Sequence, residues 1–221
     1  MRVGQNPPLV PNPWFLMQSA IELRARDLSV RRGERYLFEG LDLELGPHQL
    51  GLVVGANGSG KTTLLRVLAG LGAATSGLVT WRGSAPDRLA LEQRGEIAYR
   101  GHLDGLKKDL TVLENLRFHA AIWGMRTDLD ALMNALGLNG VANVRVRHLS
   151  AGQQRRASLA TLKLCAAKLW ILDEPTTNLD SDGRETIVGW IGAHLGRGGT
   201  AVVATHQPDE LKQRGVVLVE L

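Results

Sequence analysis

The segment Gly55-Ala-Asn-Gly-Ser-Gly60-Lys61-Thr62 constrains the fold of this chain more than any other. It has the spacing G-x-x-x-x-G-K-[ST], which lets successive backbone N–H groups turn inward around a phosphate. The flanks fix the local structure. Leu50-Gly-Leu-Val-Val54, before the loop, is a nearly continuous apolar run, as expected of a strand buried on both faces. After it, Leu64, Leu65, Leu68 and Leu71 fall at helical spacing. A buried strand, a glycine loop and a helix make a parallel α/β unit whose helix N-terminus faces an anion. Gly55, Ala56, Asn57, Gly58, Ser59, Gly60, Lys61, Thr62 and Thr63 are therefore candidate nucleotide ligands. Lys61 is placed to reach the β and γ phosphates of ATP during catalysis, and the Thr62 hydroxyl to ligate Mg²⁺.

Two later runs repeat the buried-strand character and end in polar residues, where parallel sheets place their sites. Leu169-Trp-Ile-Leu172 leads into Asp173-Glu174. Asp173 can hold Mg²⁺ or its waters, and Glu174, one residue on, can polarise an attacking water as general base. Ala201-Val-Val-Ala204 leads into Thr205-His206.

The rest of the chain surrounds this framework. Ile21 to Val30 and Leu41 to Leu45 alternate as strands of an antiparallel edge sheet do, and Leu78 to Trp81 and Ile97 to Tyr99 are further strand-like runs. From His102 to Arg147 the pattern is helical. Thr111 and Glu114 form a capping box ahead of Leu113, Leu116 and Ala120, and a second helix near Asp128 carries Leu129, Leu132, Met133 and Leu136. At 221 residues this is one α/β unit. No apolar run reaches the roughly 18 to 20 residues of a membrane helix. A net charge of +4 is dispersed in short pairs such as Arg31-Arg32 and Arg155-Arg156, so no nucleic-acid surface is expected. The one cysteine, Cys165, lies among Leu162, Leu164, Ala166 and Ala167 and is expected to pack as a small buried hydrophobe. The proline-rich segment 1–16 has no continuous apolar stretch of the kind a signal peptide needs. It is expected to be a disordered tail, with Met17 as an alternative start and the folded unit over 17–221.

Leu149-Ser150-Ala151-Gly152-Gln153, followed by a helix-like run from Gln154 to Ala167, resembles the signature sequence of ABC transporter ATP-binding subunits. The resemblance implies an α/β, P-loop NTPase fold of the ABC nucleotide-binding type, with an antiparallel β edge subdomain and a helical subdomain inserted at about 102–160. It also implies a homodimer in which Ser150, Gly152 and Gln153 of one copy contact the γ-phosphate of ATP held by the other. Asn178-Leu179-Asp180 looks like the D-loop that crosses such an interface, bringing Asp180 near the nucleotide. His206 looks like the switch histidine that orients water, a third catalytic candidate beside Lys61 and Glu174. Two positions depart from the family pattern. His102 stands where a glutamine usually senses Mg²⁺ and the membrane partner, which makes it the third metal candidate with Thr62 and Asp173. Arg32 stands where an aromatic residue usually stacks on adenine; its guanidinium could stack in turn, or Tyr36 could substitute.

Gly101-His102-Leu-Asp-Gly105-Leu106-Lys107, with Leu110-Thr111-Val-Leu-Glu114-Asn115-Leu116, is similar to the ATPase subunit of the cytochrome c maturation system, the haem exporter. The Ser-Ala-Gly-Gln signature, the missing aromatic and a final strand from Val216 to Leu221 are similar as well. This implies ATP and Mg²⁺ as cofactors and transmembrane permease subunits as partners. It also implies a peripheral position on the cytoplasmic face of the bacterial inner membrane, with hydrolysis serving release of a haem-loaded chaperone. The alternative is the ATPase subunit of another drug or small-molecule exporter. A soluble ABC ATPase outside transport usually carries tandem cassettes or a long coiled-coil insert, and the stretch from Lys61 to Leu149 has neither.

Overall fold

The computed structural model describes residues 21–89, 95–101, 105–211 and 216–221. The tail 1–16, Met17 and His102 lie outside the described residues. Two sheets form. β1 (Leu23–Arg32) and β2 (Arg35–Leu45) make an antiparallel hairpin, and after β3 (Leu50–Val54) the strand β4 (Ser76–Trp81) pairs with the other side of β1 in the order β2-β1-β4. The hairpin turns at Gly33, whose φ of 64° suits glycine. β2 begins earlier than its apolar stretch at Leu41–Leu45 because its first half is mostly exposed, so no buried face marks it in the sequence.

The second sheet is wholly parallel. β3 lies between β7 (Thr200–Ala204) and β8 (Val216–Glu220), and β6 (Leu169–Asp173) joins β7 to β5 (Ile97–Arg100), in the order β5-β6-β7-β3-β8. Every residue of β6 and β7 is buried, which explains their uninterrupted apolar runs. Alternate side chains feed two cores. Leu169, Ile171, Val202 and Ala204 pack with the antiparallel sheet and with α1 (Lys61–Leu68). Trp170, Leu172, Ala201 and Val203 face the helices of the other layer.

Those helices are α2 (Val112–Ile122), α3 (Leu129–Ala135), α4 (Ala151–Ala160) and α5 (Ser181–Gly196). Thr111 and Glu114 do form a capping box on α2, and Asp128 caps α3. Val112, Leu116, Leu132, Met133 and Leu136 are buried, while Leu113, Ala120 and Leu129 are only partly covered. Two helix ends differ from the sequence pattern. α1 stops at Leu68: Gly70, at φ 71°, takes the left-handed conformation that ends helices, and leaves Leu71 53% exposed. α4 begins at Ala151 with Ser150 as its cap, and it gives way to a 3-10 turn over Thr161–Leu164 instead of running to Ala167. Cys165 is extended and half-buried, its thiol directed to the Leu162 carbonyl at 3.4 Å, and burial raises its pKa.

Candidate functional site

The carboxyl ends of β3, β6 and β7 lie side by side, with Asp173 in register with Ala204 and Ala204 with Val53. The chain leaves these ends into the glycine loop, the Asp173-Glu174 turn and the His206 segment. Together they bound a cleft of about 240 Å³ lined by Arg32, Leu37, Gly58, Gly60, Lys61, Thr62, Thr63, Asp173, Glu174 and His206.

The loop is shaped by what glycine permits. Gly58 and Gly60 sit at φ 82° and 113°, and a Cβ on Gly55 would lie 2.5 Å from the Leu221 carbonyl oxygen and 2.8 Å from Ser59 Oγ. Lys61, 7% exposed, donates from Nζ to the carbonyls of Gly55 (2.8 Å) and Ala56 (3.0 Å), so its ammonium is held across the loop mouth. Ser59 Oγ is buried without a hydrogen-bond partner. A hydroxyl left so at the centre of a glycine loop fits a phosphate oxygen as its partner. Thr62 Oγ1 donates to Asp173 Oδ2 at 2.7 Å, and Asp173 is 1% exposed. This hydroxyl and carboxylate are hard oxygen donors of the kind Mg²⁺ takes beside water and phosphate, so the residues fit that ion.

Glu174 sits at φ 49°, a backbone region that side-chain-bearing residues rarely enter. Its amide donates to Ala204 O at 2.9 Å, its Oε2 accepts from Thr177 Oγ1 at 3.3 Å, and its Oε1 is buried with no hydrogen-bond partner. His206 Nε2 approaches that Oε1 to 3.2 Å, but not along a hydrogen-bonding direction. The histidine ring is half exposed while the carboxylate is almost covered. An acceptor oxygen held beside an imidazole at the cleft wall is an arrangement that can orient and deprotonate a water.

The signature residues lie elsewhere. Ser150, Gly152 and Gln153 do not line the cleft. Ser150 Oγ accepts from the Gln153 amide (3.2 Å) and Gln153 Oε1 from the Ser150 amide (3.0 Å), closing a capping box at the start of α4. Gly152 packs so closely that a Cβ would come 2.7 Å from Asn178 O. Asp180 caps α5 by accepting from the Gly183 amide at 2.9 Å and also accepts from Arg156 Nη2. The Gly183 N–H first, then Arg156, hold its carboxyl below the usual aspartate value. The structure thus joins Lys61, Thr62, Asp173, Glu174 and His206 in one place and Ser150, Gly152, Gln153 and Asp180 in another. Of the two adenine candidates, Arg32 lines the cleft and Tyr36 does not.

One residue escaped the sequence reading. Arg155, counted there as part of a dispersed basic pair, is 6% exposed and bonds to main-chain oxygens behind the Asp173-Glu174 turn. No sequence signal marked it: neighbouring helical residues lie only about 100° apart, so Arg155 and Arg156 could both face solvent, as their charge suggests.

Residues 38–177 match the family model described as ABC transporter. Over 204 residues the chain is 46% identical to the cytochrome c biogenesis ATP-binding export protein CcmA 2 of Cupriavidus metallidurans, covering 89% of this chain and 93% of that protein. It is 47% identical over 184 residues to the cytochrome c biogenesis ATP-binding export protein CcmA of Paracoccus denitrificans, covering 83% and 82%. Among solved structures, an ATP-binding subunit of an ABC transporter superposes with a TM-score of 0.77 at 21% identity, covering 89% of this chain and 88% of that one. A dimeric ATP-binding cassette in a post-hydrolysis state with ADP and Pi gives 0.75 at 22%, covering 90% and 96%.

Proposed function

The chain belongs to the ABC transporter family as an ATP-hydrolysing subunit, and from that premise we propose that it powers an export step of cytochrome c biogenesis as half of a homodimer. Each ATP lies between the cleft of one copy and the α4 end of the other. The observation that carries this reading is the separation just described: the catalytic groups share one cleft, and Ser150, Gly152 and Gln153 are not on its wall. One chain therefore offers half a site, and the symmetric pairing of two copies completes both halves at once.

The steps follow from the residues. Incoming β and γ phosphates replace the carbonyls of Gly55 and Ala56 as partners of the Lys61 ammonium, and Ser59 Oγ gains an acceptor. Thr62 and Asp173 would hold Mg²⁺, which would neutralise phosphate charge. Glu174 Oε1 takes a proton from the attacking water while His206, beside it, orients that water toward the γ-phosphate. The partner's Ser150 hydroxyl and α4 amides bind the γ-phosphate, so its loss on hydrolysis removes the bridge and the halves part. Two states of different affinity result, which is the condition for ligand-driven work.

We take the folded unit as 17–221 and the helical subdomain, about 102–160, as the part that relays closure to transmembrane permease subunits. Among the described residues no helix is long and apolar enough to cross a membrane. We place the chain peripherally, attached to such subunits on the cytoplasmic face of the inner membrane. The cargo step served is release of a haem-loaded chaperone.

A Glu174→Gln variant tests the shared site. With ATP and Mg²⁺ it should bind nucleotide, stop hydrolysing and accumulate as a dimer in light scattering. Adding Gly152→Asp should dissolve that dimer while ATP affinity changes less than about threefold, because neither Gly152 nor the Asn178 turn it packs on lines its own chain's cleft. A Glu174→Gln protein that stays monomeric with ATP would overturn the dimeric reading, and one that hydrolyses at the normal rate would remove Glu174 as base. Membranes carrying the trapped dimer should yield cytochrome c maturation permease subunits on pull-down; permeases of a drug or small-molecule exporter would favour the alternative.

A further inference from the structure

Three main-chain carbonyls from two separate segments converge on one buried guanidinium. Arg155, one turn into α4, donates from Nη1 to Gly101 O at 2.7 Å, and from Nη2 to Asp173 O at 2.5 Å and Glu174 O at 2.8 Å. The last two oxygens lie on either side of the Glu174 backbone, whose φ of 49° is disfavoured for any residue with a side chain. A conformation of that kind persists only where its surroundings over-determine it. The Glu174 amide is tied to Ala204 O, and its two flanking carbonyls are tied to Arg155. This turn sets the direction of the Glu174 carboxylate, with Oε1 covered and facing His206.

The other end of the clamp is at Gly101, immediately before His102 on the way from β5 toward α2. Gly101 is itself tightly placed: a Cβ there would lie 2.6 Å from Tyr99 Oη. A displacement of the β5–α2 segment therefore moves an oxygen that shares one planar guanidinium with the Glu174 turn. Arginine suits this task because its donors are fixed in a rigid fork, whereas a lysine ammonium is a single point on a flexible stem.

We propose that Arg155 is a positioning residue for hydrolysis. It holds the Asp173-Glu174 turn so that the Glu174 carboxylate stays aimed at the attacking water, and it links that aim to the placement of Gly101. The inference rests on Glu174 being the general base. It differs from a packing role, which would weaken folding and nucleotide binding together and leave the turnover of the folded, ATP-loaded protein intact.

Arg155→Lys keeps the charge and loses the fork. Its kcat should fall about 30- to 100-fold, the scale on which a displacement near 1 Å acts, while KM for ATP stays within about threefold. In single-turnover assays the same change made in a Glu174→Gln background should cost less than about twofold further, since Arg155 acts through the missing carboxylate. Hydrogen exchange should quicken only in peptides covering 97–101 and 169–176. Arg155→Gln should show the same pattern more strongly; should it fail to fold, the lysine variant decides alone. The proposal is overturned if Arg155→Lys retains kcat within twofold, if the two losses multiply in the double variant, or if exchange at those peptides is unchanged. A normal rate in Glu174→Gln alone sinks the general-base reading instead, so the two failures are told apart.

Discussion

α1 and α4 both begin at the glycine-containing ends that the proposed cycle directs at phosphate, yet they begin in opposite ways. α1 starts from Gly60 at φ 113° with no side-chain cap, so no side chain of its own competes with an anion for its first-turn amides. α4 starts from Ser150 with a complete capping box, in which the Gln153 amide donates to Ser150 Oγ and the Ser150 amide to Gln153 Oε1. The difference teaches where each half-site gets its ligand. An uncapped end inside a cleft is ready for a phosphate within one chain. A self-capped, exposed end gains by engaging a phosphate only when one arrives from outside, and the longer of its two cap bonds, 3.2 Å from the Gln153 amide to Ser150 Oγ, is at the long end of the ordinary range.

The contrast breaks most visibly at Gly60. Gly60→Ala places a side chain at φ 113°, with its Cβ 3.1 Å from Leu37 Cβ. Strain of this kind costs about 1 to 3 kcal/mol and is relieved only by moving the loop. ATP affinity should fall by about 5- to 150-fold by calorimetry, and normal affinity would mean that the α1 end is not the cis anion site. Gly152→Ala is the matching lesson for α4. Alanine adds about 1 kcal/mol of helix propensity, but its Cβ would come within 2.7 Å of Asn178 O. Net stability should change little; instead the Asn178 turn shifts, and ATPase activity should drop roughly 10-fold by loss of dimer while monomer ATP affinity holds. Equal losses of binding and activity would contradict the division between the two ends.

Much of this division was legible in the residues, for physical reasons. β3, β6 and β7 are covered on both faces, so their apolar runs stand out, and the Gly55–Thr62 loop and Asp173-Glu174 turn follow from where those runs stop. Boundaries were harder. Leucine periodicity continues past Gly70 because periodicity does not register a left-handed residue, and the helical pattern after Gln154 does not mark the end of α4 at Ala160, where the chain tightens into a 3-10 turn. Arg155 was not legible at all: charge alone argues for solvent, and only the fold brings Gly101, Asp173 and Glu174 around it. Of Arg32 and Tyr36, which the sequence left as alternatives, only Arg32 lines the cleft.

Smaller effects sharpen the picture of α4. Ser150→Ala removes the cap, which should cost about 1 kcal/mol and lower Tm by roughly 2 to 4 °C in a chain of this size. No comparable cap exists to remove at α1. If Ser150→Ala leaves Tm unchanged but lowers ATPase activity, the hydroxyl serves the phosphate more than the helix.

The smallest effect concerns how α4 is tied to the neighbouring turn. Asp180 accepts from the Gly183 amide and from Arg156, and both favour its charged form, the amide more strongly. Because the folded pKa is depressed, the unfolded chain binds the extra proton in the window between the two values. The carboxylate's contribution is therefore present above the unfolded aspartate pKa and is lost as pH falls through the folded one. At neutral pH Asp180→Asn should thus weaken stability only slightly, as befits an exposed group. An NMR titration of the carboxyl should place its midpoint below 3.8, and Arg156→Gln should raise that midpoint only part of the way back. Complete recovery to the ordinary value would make Arg156 the dominant partner. The signature helix would then be fastened to the Asp180 turn mainly by charge, and the fastening would weaken with added salt as the α5 cap does not.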